Sequence, residues 1–173
     1  MLKAVLTSEK CSACRNCCVF YEKSRWEMPS VEPENAEKIR KLLNDENAVC
    51  HESELYTMNS ILRENVNAGC EEYRCSALDE NKGCTLPAEL KPAECSMWPV
   101  RIMNDDGKIF VTLAKGCHAV DEKFIGDIKK LLSDELLEKI LGILKINGNI
   151  IKKYEPSYLK IIDITEEMST DEQ

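Results

Sequence analysis

Between residues 31 and 49 the chain reads VEPENAEKIRKLLNDENAV, with apolar Ala36, Ile39, Leu42 and Leu43 spaced three and four apart among charged residues. That is the period of one helix face, and Pro33 with acidic neighbours marks its start, so a helix of about 12 residues is predicted. SELYTMNSILRENV, 53–66, repeats the spacing through Leu55, Met58, Ile61, Leu62 and Val66, with Ser53 placed as an N-cap. A second helix is predicted there. From Gly69 to Cys95 the period is lost while Pro87, Pro92, Gly83 and an ENKG turn signal accumulate, which predicts a loop-rich segment. WPVRIMNDDGKIFVTLAKGC then reads as two strands joined across NDDG, a hairpin that delivers Cys117 just past its second strand. VDEKFIGDIKKLLSDELLEKILGILKI predicts one or two helices, with a restart at Ser133. YLKIIDI predicts a last strand, and TEEMSTDEQ a frayed acidic tail.

No internal repeat and no linker interrupts this order. A chain of 173 residues is long enough to bury a core without covalent staples, so one domain over 1–173 is expected. It divides into a cysteine-cluster region, 11–118, a helical region, 121–165, and the tail, 166–173. With 43% hydrophobic and 31% charged residues the composition is that of a globular chain, and no run of about 18 apolar residues predicts a membrane span. MLKAVLTSEK lacks the apolar stretch of an export signal, which predicts a cytoplasmic protein. The net charge of −8 argues against nucleic acid or an anionic membrane as partner, since both are held by clustered Lys and Arg.

Ten cysteines in a reducing compartment call for an explanation other than disulfides. A five-disulfide secreted protein fits the even count but not the missing signal. Buried thiols acting as small apolar groups suit scattered cysteines, not four in eight residues. In CSACRNCC the thiols of Cys11, Cys14 and Cys17 form C-x-x-C-x-x-C, the front half of the bacterial ferredoxin run that holds an iron–sulfur cluster. Cys18 follows at once and no proline succeeds it, a departure from that run. Zinc also takes four thiolates, though zinc ribbons usually present them as two C-x-x-C knuckles. Only one dense run is present.

These pieces together resemble the YkgJ-like cysteine-cluster family, described as a zinc- or iron-chelating domain and including flagellin lysine-N-methylase proteins. The matching segments are CSACRNCC, the pair Cys75 and Cys84 in CSALDENKGC, KPAECSMWP with Cys95, and AKGC with Cys117. The resemblance covers about residues 11–118. Lys91 and Ser96 stand where the family commonly has Arg, and 53–66 with Cys50 and Cys70 reads as an insertion. The resemblance implies Cys11, Cys14, Cys17, Cys18, Cys75, Cys84, Cys95 and Cys117 as metal ligands, in two four-thiolate sites or in one site with spare thiols.

The fold class that follows is α+β and helix-rich, with a loop-rich cysteine-ligated metal centre and a small β-hairpin packed on amphipathic helices. Cys50 and Cys70 read as structural thiols, and His51 as a surface histidine; His118 is open between ligand and surface. Arg15, Arg74 and Arg101 are cations that either sit near a negatively charged cluster or lie solvated at the surface. Trp26 and Trp98 read as core. No nucleotide-binding glycine loop, H-E-x-x-H or G-x-S-x-G occurs, so the sequence argues neither for nor against catalysis. The functional expectation is an iron–sulfur protein, [4Fe-4S] by the four-thiolate count, that transfers electrons to a protein redox partner or senses redox state. A Zn²⁺-stabilised binding or scaffold module is the alternative. A protein-lysine N-methyltransferase, or the partner of one, ranks third and rests on the family association alone.

Overall fold

The computed structural model describes residues 2, 6, 14–20, 28–63 and 71–169; Cys11, Trp26, Cys70 and 170–173 lie outside the described residues. The chain divides into two compact units, one running from Ser8 to Ser96 and one joining Met1–Thr7 to Met97–Gln173. Five α-helices and eleven strands in four small sheets make up the described residues, a mixed α and β arrangement. None of these helices is long and apolar enough to cross a membrane.

In the unit from Ser8 to Ser96, β1 (Val19–Phe20) follows a 3-10 turn, and α1 (Pro33–Leu43) forms where the apolar spacing predicts it. Pro33 presets the first turn, Glu34 lies at the positive end of the helix dipole, and Arg40 and Lys41 lie at the negative end. Asn44, in the left-handed region at φ 50°, stops the helix. Ala36 and Ile39 are buried, and Arg40 Nη2 donates to Val49 O at 2.8 Å, tying the helix to the next strand.

The second helix predicted at 53–66 does not form. Instead β2 (Val49–Glu52) and β3 (Leu55–Met58) pair as a hairpin, Val49 opposite Met58 and Glu52 opposite Leu55, and β4 (Ser60–Leu62) follows. Ser53, expected to cap a helix, opens the two-residue hairpin loop at φ 56°. The apolar residues satisfy helical spacing, but extended neighbours on both sides decide the outcome. The His51 ring stacks on Tyr56 at 4.0 Å, while Val31 N donates to Tyr56 O at 2.8 Å and Met58 N to Pro29 O at 3.0 Å.

The segment predicted to be loop-rich carries short strands. β5 (Tyr73–Cys75) lies between β1 and β4, antiparallel to both. β6 (Leu78–Asp79) and β7 (Gly83–Cys84) close across the ENKG turn, where Asp79 Oδ1 accepts from Asn81 N and Lys82 N, both at 2.8 Å. Gly83 adopts φ 81°, which a side chain would disfavour. The short helix α2 (Ala93–Met97) follows, and the boundary between the units falls inside it. Phe20, Met28, Val31, Ile39, Met58 and Leu78 form the centre of this unit's apolar core.

In the other unit, β8 (Val100–Asp105) and β9 (Lys108–Ala114) form the predicted hairpin. Asp106 and Gly107, at φ 50° and 86°, supply the two left-handed residues that a tight hairpin loop needs, and Asn104 Oδ1 accepts from Gly107 N at 2.9 Å. α3 (Glu122–Ser133) and α4 (Leu136–Ile146) follow; Asp121 caps the first by accepting from Phe124 N at 2.7 Å. Phe124, Ile128 and Leu132, then Leu136, Ile140 and Leu144, recur every four residues and are buried. The restart expected at Ser133 comes two residues later, because the Ser133 hydroxyl donates back to Lys129 O at 3.1 Å and completes α3 instead of capping α4. β10 (Lys152–Lys153) runs parallel to β8, and β11 (Tyr158–Asp163), the predicted last strand, pairs antiparallel with β9. The first part of the tail expected to fray is a short helix, α5 (Thr165–Ser169), whose Thr165 N donates to Asp163 Oδ1 at 3.0 Å.

Candidate metal centre

The turn that carries Cys17 and Cys18 is set by the residue before it. Arg15 takes φ 56°, its carbonyl accepts from Cys18 N at 2.9 Å, and the 3-10 turn Asn16–Cys18 results. Two adjacent thiols then lie side by side, with Cys17 Sγ and Cys18 Sγ 3.9 Å apart. β1 starts at the next residue, and its register sets Val19 opposite Arg74. The next residues along are Cys18, which ends the 3-10 turn, and Cys75, which ends β5. A long sequence separation is closed by that strand pairing.

Cys75 ends β5 and is buried. Cys84 ends β7, opposite Leu78, and is exposed. Cys95 lies on α2, where it is also exposed. Its neighbour Glu94 is 1% exposed and accepts from Ser30 N, which fixes α2 to the segment bridging Thr57. All eight described cysteines carry thiols rather than disulfides.

The thiols sense one another's charge. Cys18 is pushed far above the ordinary thiol range, first by its hydrogen bond with Cys17, then by burial, then by the negative charge that Cys17, Cys75 and Cys95 would carry. Burial pushes Cys75 up to about 11, with charge at Cys84 and Cys17 adding to it and hydrogen bonds from Ala77 and Ser76 opposing it. Five thiols, from the 3-10 turn, β5, β7 and α2, thus share one electrostatic neighbourhood. Without a cation, crowding of this kind keeps protons on sulfur; a bound cation reverses the balance and releases them.

Of the sequence-predicted ligands, Cys17 and Cys18 lie side by side, Cys75 and Cys95 are near enough for their charge to act on Cys18, and Cys84 for its charge to act on Cys75. Cys14 lies directly before Arg15 and is half-buried. Cys117 belongs to the other unit, where it follows β9 in a turn and is buried. His118, in that unit, is exposed. Cys50 lies on β2 opposite Thr57, and His51 is held against Tyr56. Among the described residues, no three His, Cys, Asp or Glu side chains already form a group that could hold one metal ion. The donor chemistry nonetheless suits a soft or borderline metal. The Cys17–Cys18 sulfur spacing, 3.9 Å, is close to the edge of about 3.8 Å that tetrahedral zinc–sulfur bonds of about 2.3 Å require.

One contributor escaped the sequence. Glu94 gives no signal, since a carboxylate beside a cysteine on a five-residue helix carries no periodicity. The arginines were expected near a cluster or in solvent, but Arg74 Nη1 donates to Leu78 O at 2.7 Å and Arg15 Nη1 donates to Glu80 O, so both bind backbone of the β6–β7 hairpin. Arg101, in the other unit, is buried and lies over the Trp98 ring at 5.5 Å. No family model, curated protein or solved structure matches the chain.

Proposed function

We propose that the unit from Ser8 to Ser96 is a thiolate metal module holding an iron–sulfur cluster, its four thiolate ligands drawn from Cys11, Cys14, Cys17, Cys18, Cys75, Cys84 and Cys95. The observation that carries this reading is the side-by-side pair Cys17 and Cys18 leading into β1, the strand that pairs with β5 and its buried Cys75. A bound iron–sulfur cluster would supply one-electron exchange with a protein partner. The chain's part is to shed thiol protons on loading, to shield Cys18 and Cys75 from water, and to aim the amide of Ala77 at the Cys75 sulfur. The family resemblance also implies Cys117 as a ligand. Its replacement by Ser separates a ligand set confined to residues 11–95 from one that needs the other unit.

A structural zinc ion is the second reading, favoured by the 3.9 Å separation of two adjacent sulfurs. In a cubane each iron takes one protein thiolate, so the thiolates stand farther apart than around a single ion. Zinc would make the module a redox-silent scaffold whose activity lies with a binding partner. Iron, zinc and acid-labile sulfide measured per chain after anaerobic purification decide between them. About four iron and four sulfide per chain support the cluster. Stoichiometric zinc without iron ends the electron-transfer reading, and absence of both metals ends the metal reading altogether.

A further inference from the structure

We infer that Arg15 is a positioning residue whose guanidinium latches the β6–β7 hairpin, and with it Cys84, to the turn that carries Cys17 and Cys18. The inference rests on the reading of these thiols as metal ligands. Its backbone part comes from φ 56°, a region that suits Gly, Asn or Asp far better than Arg. The left-handed residue closes the 3-10 turn through Cys18 N and so sets the two adjacent thiols side by side. Glycine would do this without strain, so the arginine at this position points to a task for its side chain.

That task is visible 65 residues away, where Arg15 Nη1 donates to Glu80 O on the turn between β6 and β7. The Asp79 carboxyl is held below its usual range mainly by the amides of Lys82 and Asn81, and the Arg15 charge contributes to the same shift. Two other guanidinium groups hold this hairpin. Arg74, beside Cys75, reaches Leu78 O, and Arg63 Nε lies 3.2 Å from the Glu80 carboxylate. Arg15 alone of the three extends from the segment that carries Cys14, Cys17 and Cys18. Its planar fork gives a fixed direction to the bond, which the single ammonium of lysine does not.

The test uses Arg15→Gly, Arg15→Ala and Arg15→Lys in the full chain, with two readouts. Glycine is the decisive variant because it keeps the left-handed turn, so loss of the guanidinium is read apart from loss of the fold. In metal-free protein, amide hydrogen exchange over 78–84 is expected to speed up at least tenfold in Arg15→Gly, while α1 stays as protected as in the wild type. In protein loaded with zinc or with a reconstituted iron–sulfur cluster, the same variant is expected to lose metal to a chelator at least tenfold faster, and Arg15→Lys to recover part of that loss. Unchanged exchange over 78–84 overturns the latch. Faster exchange with unchanged metal retention also overturns the positioning role, since the hairpin would then move without moving a ligand. A wild-type chain that takes up neither metal sinks the metal reading, and exchange still decides whether the latch exists.

Discussion

The two units are built on different principles. The unit containing residues 97–169 is held by long, regular elements: a four-stranded sheet centred on β8 and β9, and two helices that bury a residue every fourth position. Among its described residues, the unit from Ser8 to Ser96 has one helix of comparable length, and beyond it the short α2, two 3-10 turns and strands of two to four residues. Such short strands bury little and close few hydrogen bonds. The first kind of architecture is stable through apolar burial, whereas the second leaves room for a metal to supply what packing does not. The thiols are distributed accordingly, with seven of the eight described cysteines in the short-stranded unit.

Removing the metal should break this contrast most severely. Cys75→Ser is expected to abolish metal binding and loosen the β1–β5–β4 sheet, removing stabilisation on the order of 10 kcal/mol that a structural metal can contribute. Metal analysis and hydrogen exchange would show it, and Cys50→Ser, outside the cluster, should leave metal content intact. Equal loss from both substitutions would erase the distinction between ligands and bystanders.

In the other unit the corresponding weak point is apolar. Ile128 is fully buried on α3, and Ile128→Ala is expected to cost about 2–5 kcal/mol in denaturant unfolding without changing metal stoichiometry. Loss of metal in that variant would show that the units do not stand independently.

Alkaline pH sharpens the comparison next. Cys75 is raised from 9.0 to about 11 in the folded chain, so its protonated form is favoured there. The resulting stabilisation of metal-free protein is complete below pH 9 and is lost as pH rises toward 11, by on the order of 3 kcal/mol for a two-unit shift. A pH series of unfolding curves on metal-free protein should show this decline, and Cys75→Ser should make it shallower, leaving the part due to Cys18, which is raised as well. Metal affinity should rise over the same range, because protons compete for the same sulfurs.

The smallest effect belongs to the hairpin loop of the regular unit. Gly107 sits at φ 86° with open space where a side chain would go, so Gly107→Ala costs only backbone strain, about 1–2 kcal/mol. A shift in unfolding midpoint of that size, with metal content unchanged, is the expected outcome.

How much could be read from the sequence follows the same division. α1, the β8–β9 hairpin, α3, α4 and β11 were legible because each carries its own period, cap or turn: Pro33 before Ala36 and Ile39, Asp106-Gly107 between two apolar runs, Asp121 ahead of Phe124. The β2–β3 hairpin was not, because Leu55, Met58, Ile61 and Leu62 also fit a helix, and the strand that decides otherwise, Val49–Glu52, is a separate stretch with no period of its own. The boundary at Ser96 lies within α2, with no glycine- or serine-rich linker to mark it. At the candidate site the dense run Cys11 to Cys18 was plain. The pairing that brings the strand after Cys18 alongside the strand ending at Cys75 was not derivable from spacing, since it is a matter of register, Val19 opposite Arg74. Glu94 and Arg15 reach distant backbone, Ser30 N and Glu80 O, through hydrogen bonds that leave no pattern in a linear sequence.

X-ray absorption at the metal edge of anaerobically prepared full-length protein tests most directly whether these thiols share one centre. Coordination by sulfur alone, at about 2.3 Å and lost in Cys75→Ser, is the expected result. A shell of oxygen or nitrogen, or a sulfur shell that survives in Cys75→Ser, would contradict it.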